Sequence, residues 1–182
     1  FKDNDKVLLF AGKFESKKAP DLLLQALQHH NQKAKHALKL LLVGNGVLEE
    51  QLKKQAAGDE NIRFLPFQNQ SVMPSLYRVG DVFCLPSRGP GETWGLAVNE
   101  AMASGRPVLV SDRCGCAIDL VKPGQNGLLV SAGDLDSLSE ALVVLSKADL
   151  KAWGLNAQED IKPWSFEHQC EAIEKTVEQD YP

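Results

Sequence analysis

Six short apolar runs, separated by stretches of helical periodicity, constrain this fold more than any other feature. The first, residues 6–11, is almost continuously apolar, as in a parallel strand covered on both faces. The others are residues 38–43, 62–65, 81–85, 108–110 and 127–130. Between them the pattern predicts helices over residues 20–34, 47–57, 72–78, about 95–104 and 117–121, with three more at 135–146, 150–160 and 166–179. Pro20 suits the first position of its helix, where the missing N–H costs nothing. Leu22, Leu23, Ala26 and Leu27 then form one inward stripe. Pro74 fits only in a first turn. Strand and helix alternating from end to end predict an α/β chain with a doubly wound parallel sheet. At 182 residues it is one domain of ordinary size, burying ~70% of its unfolded surface.

Composition removes several functions. A net charge of −4 argues against a nucleic-acid binder driven by bulk electrostatics. No apolar run approaches the ~18 residues of a transmembrane helix. The start, Phe1-Lys2-Asp3-Asn4, has neither an initiator Met nor a signal-peptide pattern, and reads as a cut inside a longer protein. Cys84 lies in an apolar strand. Cys114 and Cys116 are too close for an ordinary bridge and have no matching pair to complete a zinc site. A reduced, cytoplasmic protein is the expectation.

Chemistry concentrates in residues 86–112, PSRGPGETWGLAVNEAMASGRPVLVSD. A buried strand delivers the chain into a Pro-Ser-Arg-Gly-Pro-Gly loop. A helix then begins near Gly95, with Leu96, Val98, Ala101 and Met102 able to face inward, and Gly105-Arg106-Pro107 stops it. Open α/β sheets bind ligands at such strand-to-helix loops on the carboxyl edge. The free amides around Trp94, Gly95 and Leu96 suit phosphate oxygens. An anion site does not need Glu92 and Glu100. An ionised carboxylate only accepts hydrogen bonds, so sugar and ribose hydroxyls are the partners that fit.

Glu92-x7-Glu100, set in ETWGLAVNEAMASGRPV, resembles the signature of the retaining glycosyltransferases of the GT-B fold, family 4, the group 1 transferases. The resemblance covers nearly the whole chain and corresponds to the C-terminal, Rossmann-like, nucleotide-sugar-binding half. It implies transfer of a sugar from a nucleoside diphosphate, without a metal or other cofactor. The acceptor, a glycan, lipid or small molecule, would be held mainly by an N-terminal domain of the same protein. The isolated 182-residue domain is then expected to be inactive alone, with the helix after residue 164 lacking part of its partner surface. Membrane contact, if any, is expected at the inner face.

The family directs an arginine and, five residues later, a lysine at the donor diphosphate, both after a glycine. Here Gly12 is followed by Lys13 in the arginine's place, and Lys18 matches the lysine. Lysine loses the bidentate fork, yet each close pairing is worth ~4 kcal/mol before desolvation at an effective dielectric of ~20. The resemblance also implies that Thr93, Trp94, Gly95 and Leu96 hold the donor and that Glu100 accepts ribose hydroxyls. Glu92 would lie at the reacting face, as nucleophile or as electrostatic stabiliser. Gly44 and Gly46 lie near the nucleotide in that family; as a dinucleotide fingerprint they fail, because the third glycine position is Glu49. Read alone they are a tight turn. Backbone groups at Pro66 and Phe67 would read the base, while the Phe64 and Phe67 side chains are expected in the core.

The family's usual Gly-Gly and following glutamate are replaced by Gly115, Cys116 and Asp119. Cys116 either narrows the pocket or faces inward, and nothing clearly lowers its pKa for use as a nucleophile. Asp134-Leu135-Asp136 imitates a metal-binding Asp-x-Asp but opens a helix, so Asp134 reads as an N-cap. Ser165 reads as the cap of the last helix. His29, His30 and His36 are expected at the surface, and His168 has no visible nucleophile. Lys17 is expected to face solvent. Two other functions share the fold: a non-catalytic nucleotide-binding scaffold and a sugar-nucleotide epimerase.

Overall fold

The computed structural model describes residues 1–89 and 91–180. Pro90, in the loop cluster named above, lies outside the described residues. Six strands, β1 (Val7–Ala11), β2 (Lys39–Val43), β3 (Ile62–Leu65), β4 (Val82–Leu85), β5 (Val108–Ser111) and β6 (Gly127–Val130), form one sheet in the order β3-β2-β1-β4-β5-β6. Every neighbouring pair is parallel. Among the described residues the α-helices are α1 (Pro20–Lys33), α2 (Glu49–Gln55), α3 (Met73–Val79), α4 (Leu96–Ala103), α5 (Ala117–Leu120), α6 (Leu135–Lys147), α7 (Leu150–Asp160) and α8 (Phe166–Asp180).

Why the strands read as continuous apolar runs is visible in β1. Leu8 and Phe10 face a core with Leu23, Leu27, Leu138 and Leu142 from α1 and α6. Leu9 faces the other core, with Leu76 and Tyr77 of α3 and Val98 and Met102 of α4. Successive strand residues point to opposite faces, and both faces here are covered. Full burial of each such leucine stabilises by about 1.5–3 kcal/mol.

Local departures from expectation have physical causes. The helix expected over 47–57 runs only from Glu49 to Gln55, with Leu48 as its N-cap and the Leu48 amide bonded to the Phe14 carbonyl at 3.0 Å. Leu96, expected to face inward, is 69% exposed at the first position of α4. His30 is buried rather than exposed and His29 is half-buried, because α1 packs along α6. Burial pushes the His30 imidazole below its ordinary pKa. Phe67 is 72% exposed and belongs to no core, whereas Phe64 packs against one. No helix among the described residues is long and apolar enough to cross a membrane.

Two caps follow the sequence closely. Asp134 Oδ1 accepts from the Asp136 and Ser137 amides at 2.9 and 3.1 Å, so the Asp-x-Asp is engaged in opening α6. Ser165 Oγ accepts from the His168 amide at the start of α8.

Candidate functional site

The strand order reverses between β1 and β4, so the loops leaving these two strands diverge around a crevice at their carboxyl ends. In open α/β sheets this switch point is where ligands bind. Both loops carry the charged residues singled out above. Lys18, at the end of a 3-10 turn (Ser16–Lys18), places Nζ 2.6 Å from Glu92 Oε2. Ser87 Oγ donates to the same oxygen at 3.3 Å. The lysine and glutamate side chains are only 21% and 14% exposed, so this pair is shielded from bulk water far more than a surface ion pair. The Lys18 stem runs alongside Gly12, its Cδ 3.4 Å from where a Cβ at position 12 would stand, an ordinary van der Waals contact. Lys13 lies exposed on the same loop, with no ion-pair partner among the described residues.

Gly44 and Gly46 act through close approach. A Cβ at Gly44 would meet the Gly12 carbonyl, and one at Gly46 would lie 2.6 Å from the Phe14 carbonyl. The two loops are joined by Gly12 N–H to Val43 O at 2.9 Å and Phe14 N–H to Asn45 O at 2.8 Å. The Gly-x-Gly thus anchors the lysine loop against the end of β2.

The loop before α4 rests on the segment after β5. Gly115 N–H donates to Glu92 O and Cys116 N–H to Trp94 O, each at 3.0 Å. Cys114 Sγ donates to Trp94 O at 3.1 Å and fills the space beside Gly95. A Cβ at Gly115 would strike the Thr93 carbonyl. Cys116, at the departure from the family pattern, is fully buried with its Sγ 3.7 Å from that of Cys114. The neighbouring Cys114 and burial push its thiol pKa up, away from nucleophile chemistry.

Gly95 is the N-cap of α4 at φ 100°, a left-handed conformation that favours glycine. The amides of Trp94, Gly95, Leu96 and Ala97 donate to no backbone acceptor among the described residues. They mark the positive end of the α4 dipole. Trp94 is fixed by Nε1–H to Asn99 Oδ1 at 2.9 Å and by packing on Trp164, ring centroids 5.1 Å apart.

Glu100 lies in the second turn of α4. Its Oε1 accepts from Gln70 Nε2 and its Oε2 from the Tyr77 hydroxyl, both at 2.7 Å. Burial, together with the Glu100 carboxylate, pushes the Tyr77 hydroxyl pKa well up, so it stays a donor. Gln70 belongs to the same β3–α3 connection as Pro66 and Phe67. The Pro66 carbonyl takes a local bond from Gln68 Nε2 at 3.0 Å. The described residues contain no group of three His, Cys, Asp or Glu side chains placed to hold a metal.

Arg88 is the residue that motif reasoning misses. Its guanidinium grips Asp21 with two bonds of 2.9 Å and the Ser16 carbonyl with one of 2.8 Å, and its amide donates to Lys17 O at 2.7 Å. It therefore pins the turn that carries Lys18 to the loop that carries Glu92. Burial raises the Asp21 carboxyl, but Arg88 outweighs it by hydrogen bond and charge and holds the pKa below the usual value. An arginine in a loop signals little alone, and its partner lies 67 residues away.

The family described as Glycosyl transferases group 1 matches residues 1–160. A phosphatidyl-myo-inositol mannosyltransferase of Mycobacterium leprae is 40% identical over 147 residues, covering 80% of this chain and 38% of that protein. Among solved structures, HepE of Anabaena, crystallised with UDP and glucose, superposes with a TM-score of 0.78 at 24% identity, over 97% of this chain and 49% of that one. The C-terminal domain of a group 1 glycosyl transferase (LpcC) of Francisella tularensis gives 0.74 at 22% identity, over 86% and 84%. The chain thus spans well under half of the mannosyltransferase it matches.

Proposed function

We propose, from the premise that this chain belongs to the group 1 glycosyl transferases, that it is the donor-binding half of a retaining hexosyltransferase. The observation that carries the reading is the half-buried Lys18–Glu92 pair at the switch point, beside the free amides of the α4 N-terminus.

Lys18, Lys13 and the amides of Trp94, Gly95 and Leu96 would take the donor diphosphate. Donors preorganised in a partly dry crevice stabilise the charge that develops on the leaving phosphate, usually the largest single contribution to an enzyme's rate. Glu92 would then stand against the donor sugar, oriented by Lys18 and Ser87 before substrate arrives. Glu100 would exchange Gln70, its more exposed partner, for ribose hydroxyls while Tyr77 keeps the carboxylate in place. Backbone groups at Pro66 and Phe67 would meet the base, with Thr93 and the Gly44–Gly46 turn completing the wall. The reaction needs no metal in this scheme, because lysines and amides neutralise the diphosphate. UDP, present with the similar HepE structure, is the first nucleotide to try. An N-terminal domain would supply the acceptor site, so this chain alone would bind donor without transferring it.

Glu92→Gln in the whole enzyme tests the assignment. Transfer should fall by several orders of magnitude while nucleoside diphosphate affinity changes little. Normal turnover in that variant would remove Glu92 from the mechanism.

A further inference from the structure

We propose that the chain carries a second, anion-binding site at the amino edge of the sheet, away from the nucleotide crevice, for a phosphomonoester with a short apolar body. A cavity of about 990 Å³ lies there, between the end of α1, the residues leading into β1 and β2, and α6. Five of the chain's 20 lysine and arginine side chains line it, against two carboxylates, Asp5 and Glu140, although the whole chain carries −4. Two of the five are committed. Lys6 Nζ donates to the Leu145, Ser146 and Ala148 carbonyls at the end of α6, and Lys39 Nζ to Asn61 Oδ1. Lys33, Lys35 and Lys147 form no ion pair among the described residues.

His30 and Ser139 also belong to the wall, but their Nε2 and Oγ atoms are shut off behind the lining, so the lysines carry the site. A phosphate offers several acceptor oxygens and about two negative charges, enough for the three unpaired lysines. Lysine serves phosphate as a point charge and does not need the planar fork of arginine. Ala34, Leu38 and Val143 supply an apolar wall for the body of the ligand.

The test is a titration of the 182-residue chain with hexyl phosphate, followed by amide and imidazole NMR shifts. Saturable shifts are expected in residues 29–39 and 139–147 and in the His30 ring, with Lys18 and Glu92 unmoved. Joint Lys33→Glu and Lys147→Glu substitution reverses two exposed charges and leaves the core alone. It should weaken binding by about tenfold or more while the spectrum keeps its dispersion. Vesicles containing phosphatidic acid form the second arm. Binding there, lost in the same variant, with no response to hexyl phosphate would identify a lipid headgroup as the source of the same phosphate chemistry. No saturable response in either arm, or one unchanged by the charge reversal, would overturn the site.

Discussion

Replacing Arg88 with methionine isolates the clamp between the two site loops, because the stem is kept and only the guanidinium is lost. Three of its side-chain hydrogen bonds disappear, two to Asp21 and one to the Ser16 carbonyl. Bonds to charged groups contribute ~1.5–3 kcal/mol each when the partner is stranded. Here the two side chains are 29% and 27% exposed, so water recovers part of that. The net expectation is a loss of about 2 kcal/mol, above the usual range for an exposed pair. The pH dependence fixes the sign. Asp21 has a folded pKa below its ordinary 3.8, so the unfolded chain binds that proton more readily. The stabilisation is full above the unfolded value and is lost as pH falls through the folded one. Urea unfolding of both proteins should show the full gap at pH 7 and a smaller one below about pH 4. A gap under about 0.5 kcal/mol at pH 7, or one that widens in acid, would refute the clamp. Nucleoside diphosphate binding should weaken alongside, since the turn carrying Lys18 loses its anchor.

Two further substitutions probe the supports. Gly115→Ala pushes a methyl group against the Thr93 carbonyl and should cost about 1–3 kcal/mol, with a loss of nucleotide affinity as the Glu92 loop shifts; denaturation and titration of one sample read both. Asp134→Ala removes the cap of α6, at a cost of about 1 kcal/mol. Thermal melting should fall by about 2–4 °C for a chain of this size, with nucleotide binding unchanged.

The sheet was legible because its strands are buried on both faces, and a run such as Val7-Leu8-Leu9-Phe10, too short for a helix and apolar throughout, suits a covered parallel strand. The caps at Asp134 and Ser165 were legible because a capping bond spans only two or three residues. Leu96 failed as an inward residue because hydrophobicity cannot tell the first helical position from the packed turn behind it. Phe67 failed for a related reason: it follows the last ladder residue of β3 and no longer alternates with the sheet. His30 and Arg88 were beyond reach because both depend on tertiary packing, His30 on the contact of α1 with α6 and Arg88 on Asp21 across the sheet edge. Gly44 and Gly46 carried a visible signal, but their reason, the approach of the Gly12–Phe14 backbone, exists only once the loops are side by side.

Calorimetric titration of the chain with UDP, GDP, ADP and NAD, repeated with Glu100→Ala, tests the donor-site assignment most directly. Selective binding of one nucleoside diphosphate is expected, weakened in the variant because the ribose loses its acceptor. Preferential binding of NAD, or nucleotide binding indifferent to Glu100, would contradict it.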